Sequence, residues 1–265
     1  MKKTFLLSCL MLAAMPVMAA YTGHVYVDKN KNGVFDQSEK PLAGIKVSDG
    51  LNVVETAADG SFTLPGHERE RFIFITTPSG YKTFNRHYHK IEKKQSGYDF
   101  GLIPYSGRIR KDGSHRYIHI TDTEIFNTEN HADWVNNVHD YARNEQAAFI
   151  IHTGDICYEK GLKAHIKLMN TENMDCPVFY CIGNHDLVKG KYGEELFESI
   201  YGPVYYSFDA GNVHYVVTPM PGGDHAPGYT SDDVCRWLKN DLTHIRPGTP
   251  VVVFNHDLLT YEDTF

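Results

Sequence analysis

The chain has 265 residues and an acidic balance, with 33 Asp and Glu against 26 Lys and Arg and a net charge of −7. This charge argues against a general nucleic-acid-binding protein, because such proteins present a basic face to the phosphate backbone. The length suggests one or two domains with ample chain for a core. Beyond the first 20 residues, no apolar stretch is long enough to span a membrane.

Residues 1–20 have the features of a secretory signal peptide. Lys2 and Lys3 form a positive start, an uncharged apolar run extends over Phe5–Met15, and small residues stand at Ala19 and Ala20. The run is too short for a transmembrane helix. We therefore predict an exported protein that is periplasmic, extracellular or at the cell surface. Loss of the two lysines would take the net charge from −7 to −9.

Four cysteines would remain in the mature chain: Cys157, Cys176, Cys181 and Cys235. In an exported protein they could form two disulfides, with three possible pairings. Cys176 and Cys181 flank a predicted strand, and an extended strand would separate them by about 16 Å, too far for a disulfide. We expect free, buried thiols for most of the four.

The region 21–105 has short strands of alternating pattern separated by turns, with no helical periodicity, which is typical of a β-sandwich. The predicted strands are Gly23–Val27, Gly44–Val47, Ser61–Leu64, Arg71–Thr76 and Tyr98–Leu102. We therefore predict a small all-β sandwich domain in front of the rest of the chain.

One loop of this β-domain has the ligand spacing of a calcium loop. Positions 1, 3, 5, 6, 9 and 12 of that pattern are taken by Asp28, Asn30, Asn32, Gly33, Asp36 and Glu39. Strands rather than helices flank it, and the segment Gly23–Val47 resembles the calcium-binding loop of bacterial surface B-type repeat domains. The loop could bind calcium or could be a solvated polar turn, and either role would be structural.

In the region 106–265, strands alternate with helices, which predicts a layered α/β domain. The predicted strands are Arg116–Ile120, Ala147–Thr153, Val178–Ile182, Tyr205–Asp209, Val213–Thr218 and Val251–Phe254. The predicted helices are Ala132–Asn144, a segment around residues 162–169, Glu194–Tyr201, and one that is capped by Ser231 and stopped by Pro247-Gly248.

Four of these strands are followed by metal-ligating side chains. The four segments are Thr121-Asp122-Thr123-Glu124, Gly154-Asp155, Gly183-Asn184-His185-Asp186 and Asn255-His256-Asp257. Ligands bind at the carboxyl ends of strands in layered α/β sheets, so we expect these groups to meet. Carboxylates packed together repel unless cations neutralise them, and oxygen and imidazole ligands suit Mn²⁺, Fe or Zn²⁺. The pattern predicts a metal cluster.

Gly154-Asp155, Gly183-Asn184-His185-Asp186 and the strand before His256 resemble the ordered blocks of the calcineurin-like metallophosphoesterases. The resemblance runs from about Arg116 to the C-terminus, and its four-residue block is the most specific part. The β-domain is similar to the N-terminal domain of an exported subgroup. The resemblance implies a four-layer α/β/β/α domain, a dinuclear metal centre and a phosphate monoester or diester as substrate.

The resemblance implies metal-binding roles for four residues. Asp122 would bind the first metal, Asp155 would bridge both metals, and Asn184 and His256 would bind the second. The two ions would be Mn, Fe or Zn. A bridging water made more acidic by the metals would attack phosphorus in line.

The resemblance also implies catalytic roles in the third block. Asn184 and His185 would contact the substrate phosphate, and His185 would act as a general acid or stabilise the transition state. Asp186 would orient His185. The predicted enzyme is a metallophosphoesterase, in which the cations offset charge on the phosphoryl oxygens.

Some residues near these blocks have roles that the sequence leaves open. Glu124 stands where the family usually has the His of Asp-x-His, and it could ligate a hard ion or point away. Tyr158 follows Asp155 at the spacing of the iron-binding tyrosine of purple acid phosphatases, although we favour an ordinary aromatic turn residue. His119 and His152 are predicted to face a neighbouring layer rather than to ligate.

The family closes its site with a Gly-His-x-His block on a later strand, and no such block follows His256. We therefore expect the chain to be C-terminally incomplete, with metal affinity and rate reduced at least about 100-fold. The alternative function is a calcium-stabilised, exported surface module with a degenerate phosphoesterase half.

Overall fold

The structure is a computed structural model, and it describes residues 20–95, 97–105 and 108–257. In those ranges, no helix combines the length and apolar character needed to cross a membrane.

The strands are, in chain order, β1 (Tyr21–Val27), β2 (Lys40–Pro41), β3 (Lys46–Ser48), β4 (Val53–Glu55), β5 (Ser61–Leu64), β6 (Phe72–Ile75), β7 (Tyr81–Thr83), β8 (Tyr88–Lys90), β9 (Phe100–Pro104), β10 (Tyr117–Ile120), β11 (Phe149–His152), β12 (Val178–Tyr180), β13 (Tyr206–Ala210), β14 (Val213–Val217) and β15 (Val251–Phe254). The helices are α1 (His131–Asn144), α2 (Tyr158–Leu168), α3 (Glu195–Tyr201) and α4 (Ser231–Thr243), with a 3₁₀ turn at Asn184–Asp186.

The N-terminal region is all-β, as predicted. One sheet has the order β2-β1-β9-β7 with β5 also paired to β1, and the other has the order β4-β3-β6-β8. Fully buried side chains from both sheets form one core: Val25, Val47, Leu64, Ile73, Ile75 and Leu102. Strands β2, β4, β7 and β8 were missed from the sequence, because two or three residues are too few to show an alternating pattern.

The α/β region is built on the parallel sheet β10-β11-β12, in which α1 and α2 are the crossover helices. Alternate residues of its strands face opposite layers. Ile150 and Val178 pack against α1, α2 and α3, whereas Phe149 and Phe179 face the second sheet, β13-β14-β15. The rings of Phe179 and Phe208 stack with centroids 3.7 Å apart at this junction.

Helix α4 covers the outer face of the second sheet, so the layers follow the predicted α/β/β/α order. Asp241 on α4 accepts hydrogen bonds from Ser207 Oγ at 2.9 Å and His214 Nε2 at 2.8 Å. The predicted cap of this helix was wrong by one residue, because Thr230 rather than Ser231 accepts the Asp233 N–H, at 3.2 Å. A β-region backbone suits Thr230 for that role.

The thiols of the described cysteines are free, as predicted: Cys157, Cys176 and Cys181 are buried, and Cys235 is half-buried.

Side chains of the β-region and of the α/β region pack against each other in one hydrophobic core. Phe72, Phe74 and Tyr88 belong to the same core cluster as the inner faces of both α/β sheets. The Asp209 N–H donates to the Thr77 carbonyl at 2.8 Å. The junction is therefore an apolar core as well as a set of polar contacts.

Candidate metal centre

The predicted ligands meet at the carboxyl ends of four strands. Asp122, Asp155 and His256 follow β10, β11 and β15, and each offers a ligand atom within 4.8 Å of those of the others. Glu124, Asp155 and His185 form a second such group. Asp155 belongs to both groups, which is the arrangement that a carboxylate bridging two cations requires.

Asp155 is the buried centre of the site, with 4% of its surface exposed. Its Oδ2 lies 3.4 Å from His256 Nε2, and its Oδ1 accepts the His185 backbone N–H at 3.0 Å. Burial raises the pKa of Asp155, but these hydrogen bonds outweigh burial and hold the pKa below its ordinary value. The carboxylate is therefore anionic, as a metal ligand must be.

Glycines at two positions allow the β11 and β12 loops to touch. A Cβ at Gly154, where φ is +103°, would lie 2.5 Å from the Gly183 nitrogen, and a Cβ at Gly183 would lie 2.1 Å from Asp155 Oδ1. No side chain fits at either position without moving the carboxylate or the backbone. The Gly-Asp and Gly-Asn pairs of the sequence thus have a steric reason.

The backbone that carries the ligands is strained. The left-handed region is occupied by Asp122 (φ 52°), Glu124 (φ 40°), Asp155 (φ 54°), Cys157 (φ 83°) and Tyr158 (φ 45°). Each such non-glycine residue costs about 1–3 kcal/mol, and strain of this kind concentrates at functional sites. Hydrogen bonds between the loops after β10 and β11 hold this backbone conformation. One of them is donated by the Glu124 N–H to the Asp155 carbonyl at 2.9 Å.

His256 is oriented by the main chain. Its Nδ1 donates to the Thr153 carbonyl at 2.8 Å, so that Nε2 faces Asp155 and lies 3.2 Å from Asn184 Oδ1. A backbone carbonyl on one imidazole nitrogen commonly fixes the other for a metal. The hydrogen bond with Asp155 raises the pKa of His256 to about 9, and a cation on Nε2 would compete with that proton.

Glu124 is exposed, and its carboxylate faces the site, since it belongs to one ligand group with Asp155 and His185. His185 Nε2 lies 4.0 Å from Asp155 Oδ2. Of the two roles left open for Glu124, the geometry agrees with the one that places its carboxylate among the ligands.

The hydrogen bonds of the Asp186 carboxylate go to the main chain and not to the His185 ring, which Asp186 was predicted to orient. Asp186 is fully buried, and its oxygens accept the backbone N–H groups of Gly183 at 3.0 Å and Cys157 at 2.9 Å. Burial raises the pKa of Asp186 to about 6. Its contacts tie the β12 loop to the β11 loop, because a buried carboxylate must find donors and the nearest are main-chain amides.

The carboxylate that is hydrogen-bonded to the His185 ring belongs to Asp224, which was not predicted from the sequence. His185 Nδ1 lies 2.9 Å from Asp224 Oδ2, and this hydrogen bond raises the pKa of His185. Asp224 lies between β14 and α4, and its N–H donates to the Asn184 carbonyl at 3.1 Å. The only local signal was an acidic residue after two glycines in a long connection.

Tyr158, His119 and His152, whose roles the sequence leaves open, lie near the candidate ligands. Tyr158 begins α2, and its ring centroid is 5.7 Å from that of His185. His152 Nε2 lies 3.0 Å from Thr123 Oγ1, and His119 Nε2 lies 2.9 Å from Thr153 Oγ1. These two histidines are outside the ligand groups found among the described residues.

The calcium-type loop satisfies its carboxylates internally. Asp28 accepts the N–H groups of Asn32 at 3.2 Å and Gly33 at 2.9 Å, and Glu39 accepts that of Asp36 at 3.2 Å. In the described part of the chain, its carboxylates do not supply three ligand atoms within 4.8 Å of one another. These bonds explain the loop's shape, and calcium binding stays a prediction.

A four-layer α/β/β/α fold with carboxylates and imidazoles gathered at strand ends defines a candidate metal-dependent hydrolase. Two family models match the chain: Calcineurin-like phosphoesterase over residues 115–263, and N terminal of Calcineurin-like phosphoesterase over residues 29–104. No curated protein matches it. The chain belongs to the calcineurin-like phosphoesterase family. This membership supports metal-dependent phosphoester hydrolysis in general and divalent metals as cofactors.

Proposed function

We propose that the protein is an exported phosphoesterase that hydrolyses phosphate monoesters or diesters with two cations held around Asp155. The observation that carries this proposal is the shared position of Asp155 in two ligand groups. Support for export comes from the signal-like features of residues 1–20.

The residues fit a dinuclear centre of hard or borderline cations such as Mn²⁺, Fe or Zn²⁺. The two cations would draw on Asp122, Asp155, Asn184 and His256, with Glu124 as a further oxygen ligand. In the structure Asp122 and His256 share one group with Asp155, and Glu124 shares the other with Asp155 and His185. The bound cations would supply an acidified water nucleophile and offset charge on the phosphoryl oxygens.

Two side chains of the site would act on the substrate directly: His185 on the leaving group and Asn184 on the phosphate. His185 lies at the rim of the site, and its bond to Asp224 directs Nε2 toward Asp155. In this position a protonated Nε2 can donate to the oxygen that departs from phosphorus. Asn184, on the same turn, would contact the phosphate through its side-chain amide.

The test is metal content together with hydrolysis of p-nitrophenyl phosphate and bis(p-nitrophenyl) phosphate, with Mn²⁺, Fe or Zn²⁺ supplied. We expect Asp155→Asn to lower turnover and metal affinity at least about 100-fold, because a shared ligand is lost to both cations. Asp232→Asn is the matched control, since Asp232 is an exposed carboxylate on α4.

Retained metal binding and full turnover in Asp155→Asn would overturn the proposal. Wild-type protein that binds no transition metal but melts at a calcium-dependent temperature would favour the alternative, a calcium-stabilised surface module with a degenerate phosphoesterase half.

A further inference from the structure

Two aromatic side chains are exposed beside the metal centre. Phe126 is 59% exposed and Tyr158 is 43% exposed, and their ring centroids lie 5.7 Å apart. The Tyr158 ring lies at the same distance, 5.7 Å, from that of His185. Large apolar rings are seldom left in water together, and a contacting exposed pair at the edge of a site points to a ligand.

Phe126, the outer ring of the pair, lines a cleft that also includes the candidate metal ligands Asp122 and Glu124. An open cleft of 660 Å³ is lined by Asp122, Glu124, Phe126, His131 and Trp134, among others. This volume lies within the range of small-molecule sites, which is about 300–1,000 Å³. A molecule whose phosphorus lies at the metal ligands would therefore have room for a substituent against Phe126, whose ring lies next to that of Tyr158.

The charges of the cleft restrict that substituent. The cleft lining contains Asp122, Glu124 and Glu129, and it contains no lysine or arginine. Asp122 and Glu124 would be neutralised by the bound cations, but a second phosphate or carboxylate placed away from the metals would meet Glu129 and no lysine or arginine. The cleft therefore selects an uncharged or cationic group and disfavours polyphosphates.

The aromatic residues are held by the loops that carry the ligands. Ile125 N–H donates to the Ile156 carbonyl at 2.8 Å, and Phe126 N–H donates to the Glu124 carbonyl at 2.8 Å. Tyr158 follows Asp155 on the β11 loop with a left-handed backbone. The backbone positions of both aromatic residues are thus tied to the loops that carry the ligands, as a substrate-positioning surface requires.

We propose that Phe126 and Tyr158 form a stacking surface for a planar aromatic group on the phosphoester substrate. This inference rests on the proposed function. The substrate class is then a phosphoester with an uncharged aryl or heteroaromatic ring near phosphorus. Stacking of a ring on such side chains strengthens binding by about 5- to 100-fold.

The first test compares two non-hydrolysable ligands that differ only in the ring. Dissociation constants of phenylphosphonate and methylphosphonate are measured by calorimetry on Mn²⁺-loaded protein. We expect phenylphosphonate to bind at least about 5-fold more tightly. The preference should vanish in the Phe126→Ala, Tyr158→Ala double variant, whose changes are at exposed positions and spare the core.

Two control variants separate stacking from other effects. Tyr141→Ala removes another exposed ring, in the last part of α1, and should keep the preference. Tyr158→Phe keeps the ring and removes the phenol, so it should keep both the preference and the metal content. Loss of metal in Tyr158→Phe would instead make Tyr158 a ligand and overturn its role as a stacking residue.

A second test uses turnover with a constant leaving group. The kcat/KM ratio of bis(p-nitrophenyl) phosphate to methyl p-nitrophenyl phosphate should fall at least about 5-fold in the double variant, toward the ratio of their intrinsic reactivities. Equal affinities and rates for ring and methyl ligands in the wild type would overturn the inference and leave the phosphoesterase intact. No metal-dependent binding of either phosphonate would overturn the proposed function and this inference with it.

Discussion

At the scale of the residue, the contact between His185 and Asp224 changes which carboxylate is the candidate for orienting the His185 ring. The sequence placed the orienting carboxylate next to the histidine in the chain, at Asp186. The structure places it at Asp224, 2.9 Å from His185 Nδ1. Asp186 follows His185 in the chain but does not contact its ring, because the 3₁₀ turn directs the Asp186 carboxylate to backbone N–H donors.

Asp224→Asn should therefore lower kcat by about 10- to 100-fold, because the amide no longer holds His185 as a charged partner does. The metal content should not change, since Asp224 lies outside the ligand groups of the described residues. Steady-state kinetics and metal analysis on the same preparation check both statements. An unchanged kcat would mean that the contact has no role in orienting His185.

His214 carries a pH-dependent share of the stability. It is 1% exposed, and its Nδ1 and Nε2 lie 2.6 Å from Asp209 and 2.8 Å from Asp241. Burial lowers its pKa, but the two carboxylates outweigh burial and raise the pKa of His214 from 6.5 to about 9. Because the folded-state pKa is raised, the stabilisation is complete below pH 6.5 and disappears as pH rises through 9.

The free energy of unfolding should thus fall by about 3 kcal/mol from this residue between those pH limits. His214→Gln should remove that part of the slope, which urea titrations at a series of pH values can measure. His256 titrates in the same range, so the difference between wild type and variant is the relevant quantity. Parallel curves for the two proteins would refute the assignment.

At the scale of the element, the loops after β11 and β12 matter more than the strands themselves. The backbones of these loops approach so closely that Gly183 has no room for a Cβ, which would lie 2.1 Å from Asp155 Oδ1. The sequence motif is therefore a packing requirement as well as a source of ligands.

Gly183→Ala should displace the Asp155 carboxylate and weaken metal binding by at least about 10-fold, with a smaller effect on stability. Gly222→Ala is the matched control, because no atom lies within 4 Å of its added Cβ and its φ is not left-handed. Metal titration of both variants checks the prediction. Equal affinities in the two variants would show that the loops can separate at little cost.

The elements themselves were largely predictable. Strands β5 and β15 have the predicted bounds, and α1 begins one residue before the predicted start. β5 alternates polar and apolar residues, β15 is a run of β-branched and aromatic residues, and α1 repeats apolar residues at helical spacing. The cap of α4 was misplaced, because Thr230 and Ser231 are both good caps and only the helix geometry selects one.

At the scale of the whole molecule, the β-region is part of the core. Phe74 is 3% exposed, and its ring centroid lies 6.3 Å from that of Trp237 on α4. Arg71 also forms 2.9 Å ion pairs with Glu194 and Glu198 across the junction. We expect the two regions to unfold together rather than as separate modules.

Phe74→Ala should lower the free energy of unfolding by about 3–5 kcal/mol, since it leaves a cavity in the shared core. Fluorescence and circular dichroism should report one coincident transition in wild type and variant. Val34→Ala, at a site that is 59% exposed, serves as the control. Two separated transitions in the wild type would show that the regions are independent.

The sequence by itself determined the class of the protein: an all-β region, an α/β region, and the candidate metal-ligating residues Asp122, Asp155, Asn184 and His256 at the ends of strands. These features depend on local periodicity and on the order of short blocks, which a linear chain displays. Only the tertiary structure decided that Glu124 and His185 share a ligand group with Asp155, that Asp224 contacts the His185 ring, and that the two regions share a core. Those contacts join residues far apart in the chain, and their distances follow from how sheets and loops pack.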